Sequence, residues 1–140
     1  MAGNHYVYEH VVIPQDVTVQ GIAYDARFLD WACTARERML VDNMAEGDIH
    51  PPAFLTGEVG IRYLIPVFLH DWIEVRVWVS DYTRATGRVR LVFRFVKKGN
   101  IQSLAEGFQN LFCYDRVKGE RSPLPQSFVE MAERYKDTMG

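Results

Sequence analysis

The chain has 140 residues, 48% hydrophobic, 13% aromatic and 24% charged, which is enough apolar surface for one self-folding domain and far from a disordered composition. Against 18 Asp and Glu stand 16 Lys and Arg, a net charge of -2, so no basic field draws the protein onto nucleic acid or an anionic membrane. Two cysteines, Cys33 and Cys113, are too few for a disulfide framework or a zinc cluster and suit a reducing compartment, which points to the cytoplasm. The opening MAGNHYVYEHVV has no signal-peptide pattern, and no apolar run approaches the roughly 18 residues of a membrane span.

A single domain over residues 1–140 is therefore expected. Residues 6–14 (YVYEHVVIP) are rich in Val, Tyr and Ile and end at a proline, as a strand does. After the loop QDVTVQG the period changes. Over residues 24–43, Phe28, Leu29, Ala32, Cys33, Met39 and Leu40 fall on one stripe of a long amphipathic helix. Gly47 and the pair Pro51-Pro52 mark a connection, because proline lacks an amide donor and restricts its predecessor. Four strands follow, at 54–63, 72–81, 88–97 and 102–115, read from β-branched and aromatic content. Short polar connections at 69–71, 84–87 and 98–100 predict that the last three strands form an antiparallel meander. In the tail, Ser127 followed by Glu130 has the capping-box spacing and precedes Met131, Ala132 and Tyr135 on a short helix. The order predicts an α+β domain, one antiparallel sheet covering one central helix. A single long helix leaves sheet surface and edges uncovered, so a homo-oligomer is expected.

One residue breaks the helix pattern. At about 100° per position, Arg36 falls near the middle of the apolar stripe, whereas Arg27, Asp30, Thr34 and Arg38 take the opposite face. A guanidinium there has to be paired or hydrogen-bonded, since its desolvation otherwise costs several kcal/mol. Two readings stay open: a structural ion pair or snorkelling side chain, and a group held for a ligand carbonyl, carboxylate or phosphate. Asp25, on the same stripe near the helix start, is a cap in one reading. In the other, the backbone amides around Tyr24 and Asp25 receive an oxygen carrying negative charge.

These residues sit in a recognisable frame. DVTVQGIAYDARFLDWACTARERML (residues 16–40) resembles the opening signature of hotdog-fold thioesterases of the 4-hydroxybenzoyl-CoA thioesterase group. VGIRYLIPVFLHDWIEVRVWV (59–79) and AEGFQNLFCYDR (105–116) continue the resemblance through nearly the whole chain. Within the group, Tyr24, Leu29-Asp30-Trp31 and Arg36-Glu37 look closest to thioesterases of enediyne and related iterative polyketide synthases. The resemblance implies a five-stranded antiparallel sheet wrapped around the long helix, with a short C-terminal helix. It also implies that Arg36 is the active-site arginine, that an oxyanion site involving Gly21, Tyr24 and Asp25 lies at the helix start, and that a phosphopantetheine groove runs along a subunit interface.

One position departs from the pattern. Many members carry a catalytic aspartate three residues before the loop glycine, where this chain has Thr18; its hydroxyl does not ionise near neutral pH, but it can position water or the thioester carbonyl. Asp16, two residues earlier on the same side of an extended loop, is either the alternative base or a solvated carboxylate. Glu37 is either a helix base or a surface or interface ion-pair partner. Tyr24 either donates to the substrate or packs at the interface.

Other chemistries are missing from the sequence. No G-x-S-x-G surrounds Ser80, Ser103, Ser122 or Ser127, and His5, His10, His50 and His70 lack paired metal-ligand spacing, so no metal or cofactor is expected. Cys33 reads as core. The basic residues of the 84–98 hairpin form a solvated edge or a landing patch, with Arg88 and Arg90 contacting phosphopantetheine or its carrier. The expected activity is hydrolysis of an acyl or polyketidyl thioester on an acyl carrier protein or CoA, releasing a free acid. The alternatives are an acyl-CoA thioesterase with Asp16 or Glu37 as base, and a non-hydrolytic acyl-binding hotdog protein.

Overall fold

The structure, a computed structural model, describes residues 3–49 and 52–138, so His50 and Pro51 of the expected connection lie outside the described residues. The first strand, β1 (Tyr6–Val11), alternates as its sequence demands, with Tyr6, Tyr8 and His10 turned inward and Val7, Glu9 and Val11 outward. A 3-10 turn at Pro14–Asp16 leads to the long helix α1 (Asp25–Asn43). Its buried face is Phe28, Trp31, Ala32, Ala35, Arg36, Met39 and Leu40. The stripe is thus rotated slightly from the expected one: Trp31 and Ala35 join it, while Leu29 and Cys33 are half-buried. The helix stops at Met44, whose extended backbone (ψ 150°) leaves its amide bonded to the Leu40 carbonyl at 2.9 Å.

The short helix α2 (Glu46–Ile49) precedes strands β2 (Pro52–Tyr63), β3 (Trp72–Thr83), β4 (Arg88–Lys97) and β5 (Ser103–Asp115). Their order in the sheet is β1-β3-β4-β5-β2, with every neighbouring pair antiparallel, and β3-β4-β5 is the expected meander. The inward columns of the central strands are apolar, Val75, Val77 and Val79 on β3 and Val89, Leu91, Phe93 and Phe95 on β4, and the sheet curls around α1. Each such side chain contributes about 1.5–3 kcal/mol by leaving water. This is the hotdog arrangement.

Besides the 3-10 turn and α2, the chain departs from the expected elements near its C-terminal end. A two-residue strand β6 (Glu120–Arg121) pairs with β5. Beyond the end of β1, the edge of β3 is covered by the tail, with the Val79 amide donating to Tyr135 O and the Asp137 amide to Val79 O. The helix α3 (Gln126–Arg134) starts two residues early, on Pro125, with no side-chain cap. The capping box expected at Ser127 and Glu130 is therefore corrected. Proline fixes the extended entry, which places Ser127 inside the first turn; its hydroxyl instead donates to Asp48 Oδ2 at 2.6 Å and accepts from the Ala45 amide at 3.3 Å. Among the described residues the 12-residue β2 pairs only with β5, which leaves its other edge open beside the exposed Leu55, Val59 and Tyr63. No helix among the described residues is long and apolar enough to cross a membrane.

Candidate active site

The loop before α1 is a tight turn. Gly21 N–H donates to Thr18 O at 2.9 Å, Thr18 N–H to Ile22 O at 2.8 Å, and Gln20 N–H to the Thr18 hydroxyl oxygen at 3.2 Å. Gly21 has φ 79°, the left-handed region open to glycine, which explains the residue although a Cβ there would meet nothing. Ala23 and Leu69 amides then stitch the loop to the segment after β2, through Val67 O and Gly21 O. Tyr24 is the N-cap, and its amide donates to Asp16 O at 2.9 Å. The Gly21 and Tyr24 amides are therefore already committed. The helix start leaves the Asp25 and Ala26 amides, which by position have no intrahelical acceptor, as its anion-binding donors.

Asp16 is not a solvated loop carboxylate. It is 5% exposed, at the end of the 3-10 turn, because Oδ2 accepts from the Ile13 amide at 3.0 Å and contacts His10 Nε2 at 2.8 Å, while Arg27 Nε lies 3.7 Å from Oδ1. Three partners from three chain segments offset the desolvation of its charge.

Asp25 borders a cavity of about 270 Å³, whose other walls include Ile22, Phe28, Tyr63, Leu64 and Pro66. The Tyr63 hydroxyl donates to the Asp25 carbonyl at 2.8 Å and its ring meets Phe28 edge-on at 5.1 Å. Burial, and then the nearby Asp25 charge, push the Tyr63 hydroxyl above its ordinary pKa, so the mouth of the cavity carries a neutral phenol. Leu64 on its wall is exposed, as are Tyr24 and Phe68, the chain neighbours of the lining residues Asp25 and Val67. Tyr63 is a candidate site residue that residue-level reading missed; the tyrosine-proline spacing within residues 59–79 was its available signal.

The second polar cluster lies further along α1. Arg36 is 8% exposed and faces the sheet, as its helix angle predicts. Its Nη1 donates to Gln109 Oε1 at 2.9 Å and Thr56 Oγ1 at 3.0 Å, and its Nε and Nη2 donate to Glu37 Oε1 at 3.2 and 2.9 Å. Snorkelling is thereby excluded, and the ion pair with the exposed Glu37 is present. Eleven residues separate Asp25 from Arg36, about 16 Å along the helix axis. One chain therefore brings Thr18, Gly21, Tyr24, Asp25 and Asp16 together, and Arg36 with Glu37, but does not bring the two groups together. Arg88 and Arg90 are on the sheet face turned away from α1. Arg88 donates to Asp81 Oδ2 at 2.6 Å, which holds the Asp81 carboxyl below its ordinary pKa, and Arg90 donates to Asn110 Oδ1 at 3.1 Å while lying over the Phe108 ring.

Comparisons with known proteins agree with the fold. No curated protein matches the chain. Among solved structures, the dynemicin thioesterase, described with a bound polyene, superposes with a TM-score of 0.87 at 25% identity over 96% of this chain and 99% of its own. Slr0204, a 1,4-dihydroxy-2-naphthoyl-CoA thioesterase from Synechocystis, gives 0.80 at 20% identity, covering 92% and 96%. SAV2348 from Staphylococcus aureus, solved in complex with CoA, gives 0.85 at 14% identity, covering 100% and 90%; at these last two identities the likeness is one of fold. The family model of the thioesterase-like superfamily matches residues 12–131, most of the chain, and the protein therefore belongs to that superfamily of thioester hydrolases.

Proposed function

We propose that this protein hydrolyses an acyl or polyketidyl thioester, carried on an acyl carrier protein or on CoA, at a site built by two copies of the chain. The observation that carries this reading is the uncommitted helix start, the Asp25 and Ala26 amides, opening beside an apolar cavity. The amides receive the thioester oxygen and hold it more tightly as it becomes an oxyanion, which is what lowers the barrier. Tyr24 and Tyr63 shape the mouth, Gly21 sets the turn, and the Thr18 hydroxyl orients the attacking water. The polyene of the dynemicin thioesterase and the CoA of SAV2348 support a long apolar acyl group and a pantetheine carrier.

Arg36 and Glu37 are supplied by the second copy. The open edge of β2 pairs antiparallel with its own copy across a two-fold axis, which sets the Tyr63 end of one strand against the Ala53–Thr56 end of the other. Thr56 is one of the three residues that hold Arg36, so the guanidinium arrives near the partner's helix start. Asp16 serves as the anchor of the loop through His10 and Ile13. With no free strong base, attack depends on hydroxide and the rate climbs with pH. Arg88 and Arg90 lie on the outer sheet face, where an acidic carrier competes with Asp81 and Asn110 for them.

The test is thioester hydrolysis from pH 6 to 9, with a medium-chain acyl group on CoA and on a carrier protein, for wild type, Thr18→Ala and Asp16→Asn. A rate that rises steadily with pH, is lowered in Thr18→Ala and stays within a few-fold in Asp16→Asn supports the proposal. A profile that flattens above an acidic pKa, together with a dead Asp16→Asn, makes Asp16 the base. Absence of turnover on both carriers leaves an acyl-binding protein.

A further inference from the structure

The end of the sheet beside the cavity carries a surface with no part in the reading so far. Backbone bonds gather four chain segments there: Val12 N–H donates to Asp71 O and His70 N–H to Val12 O, both at 2.9 Å, Leu69 N–H to Gly21 O at 3.0 Å, and Lys98 N–H to Trp72 O at 2.7 Å. From these segments Val11, Ile13, Val19, Phe68, Trp72 and Ile101 stand in solvent, Val19 at 98% and Ile101 at 81% exposure. Local bonds hold the two most exposed tips in place: the Thr18–Gly21 turn closes beneath Val19, and Arg94 Nη2 donates to Ile101 O at 2.6 Å. Apolar side chains fixed in water on neighbouring turns mark an interaction surface. The pairing edge β2 lies at the far side of the sheet from β1 and β3, so a dimer built on that edge leaves Val11, Ile13 and Trp72 uncovered.

Charge and shape name what the surface meets. Lys97 Nζ lies 3.4 Å from Asp71 Oδ1, Lys98 Nζ lies 3.1 Å from Glu9 Oε1, and Arg94 faces Glu106 across the β4-β5 ladder. Each of these cations has its own carboxylate, so the end has little to attract an acidic protein or an anionic headgroup. The Lys98 amine also sits 3.8 Å from the centre of the exposed Trp72 ring. An indole beside a lysine stem, apolar in body and polar at the tip, suits the boundary between water and acyl chains. The six side chains come from four turns rather than from one helix or strand face. A protein partner needs about 800 Å² of continuous matching surface, whereas a fluid lipid layer takes each tip singly. We infer that this end of the protein docks on a zwitterionic lipid surface by inserting these tips among the headgroups and acyl chains. The cavity walled by Ile22, Leu64 and Val67 adjoins the same segments, so its apolar contents exchange with lipid over a short path. The docking itself does not depend on the thioester reading.

The test is flotation of the whole protein with vesicles of phosphatidylcholine, alone and mixed with phosphatidylglycerol. The protein floats with both, and the two partition coefficients agree within about threefold, less than one unpaired lysine near an anionic surface would add. Ile101→Asp lowers the partition by about tenfold or more, and Ile101→Leu restores it. Both variants keep the wild-type melt, because the side chain at 101 already lies in water. Trp72 reports the same event by fluorescence. Trp31 and Trp78 are buried, so a blue shift on adding vesicles, and quenching by brominated acyl chains, come from Trp72 and vanish in Trp72→Phe. Absence of flotation with phosphatidylcholine overturns the inference, as does flotation that Ile101→Asp leaves unchanged. Flotation with the anionic vesicles alone makes the contact one of charge and overturns it too. If Ile101→Asp instead breaks an oligomer larger than the dimer in sedimentation velocity, or a complex with an acidic carrier protein, while neither vesicle is bound, the occupant is that protein and the lipid docking is refuted.

Discussion

Replacing Arg36 by Met removes the guanidinium while filling most of its volume, and the structure fixes what should follow. Three acceptors lose their donor. Thr56 and Glu37 are exposed and rehydrate, but Gln109 Oε1 is stranded in the core, at a cost of about 1–3 kcal/mol. For a domain of this length that is roughly 3–10 °C in Tm. On the activity side, one charge-assisted bond to the substrate is lost, worth about ten- to a hundredfold in kcat/KM. Arg36→Lys does not restore it, because an ammonium cannot reproduce the planar set of bonds. The assay pairs a thermal melt with continuous detection of the released thiol. A folded Arg36→Met that turns over like wild type refutes the catalytic role, and a variant that no longer folds makes Arg36 a structural ion-pair partner.

The oxyanion donor can be removed without breaking the helix. Position 25 is the first helical residue, and Tyr24 before it is already extended (φ -63°, ψ 142°), so proline fits there. Asp25→Pro deletes one amide and should cost about a hundred- to a thousandfold in kcat with little change in Tm, whereas Asp25→Ala, which keeps the amide, costs far less; equal losses would place the effect on the carboxylate. At alkaline pH, Tyr6 is held above its ordinary value of 10.0 by burial and then by its bond to Asp42, Tyr82 by its bond to Glu133 and then by burial, and Tyr63 by burial and the Asp25 charge. The folded state then binds more protons than the unfolded state above pH 10, so stability falls as pH rises from there. Denaturant midpoints measured between pH 8 and 11 should drop, and less steeply in Tyr6→Phe and Tyr82→Phe; a flat profile contradicts this.

What the sequence could reveal depended on how local each cause was. The α1 period and the β4 alternation are properties of neighbouring residues, so both elements are where their patterns place them. Arg36 was legible because one charged residue on an apolar stripe is an anomaly in a periodic pattern. Gln109 was equally legible in principle: it shares parity with Ala105, Leu111 and Cys113 and is the polar member of a buried column. Asp16 was not, since its burial is created by His10 on β1 and Arg27 on α1 closing over it. The committed Tyr24 amide has the same origin, a 3-10 turn that brings the Asp16 carbonyl beneath the helix start. At Ser127 the capping motif was real in sequence but lost to Pro125, whose fixed backbone starts the helix two residues sooner.

The two-chain site has one direct test, mixing the subunits of Asp25→Pro and Arg36→Met after denaturation and refolding together. In a two-fold dimer each site takes its helix start from one chain and its arginine from the other. Random pairing makes about half the dimers mixed, and each mixed dimer has one intact site and one doubly damaged site, so about a quarter of wild-type activity returns. Activity equal to the mean of the two separate variants would contradict a site shared between chains.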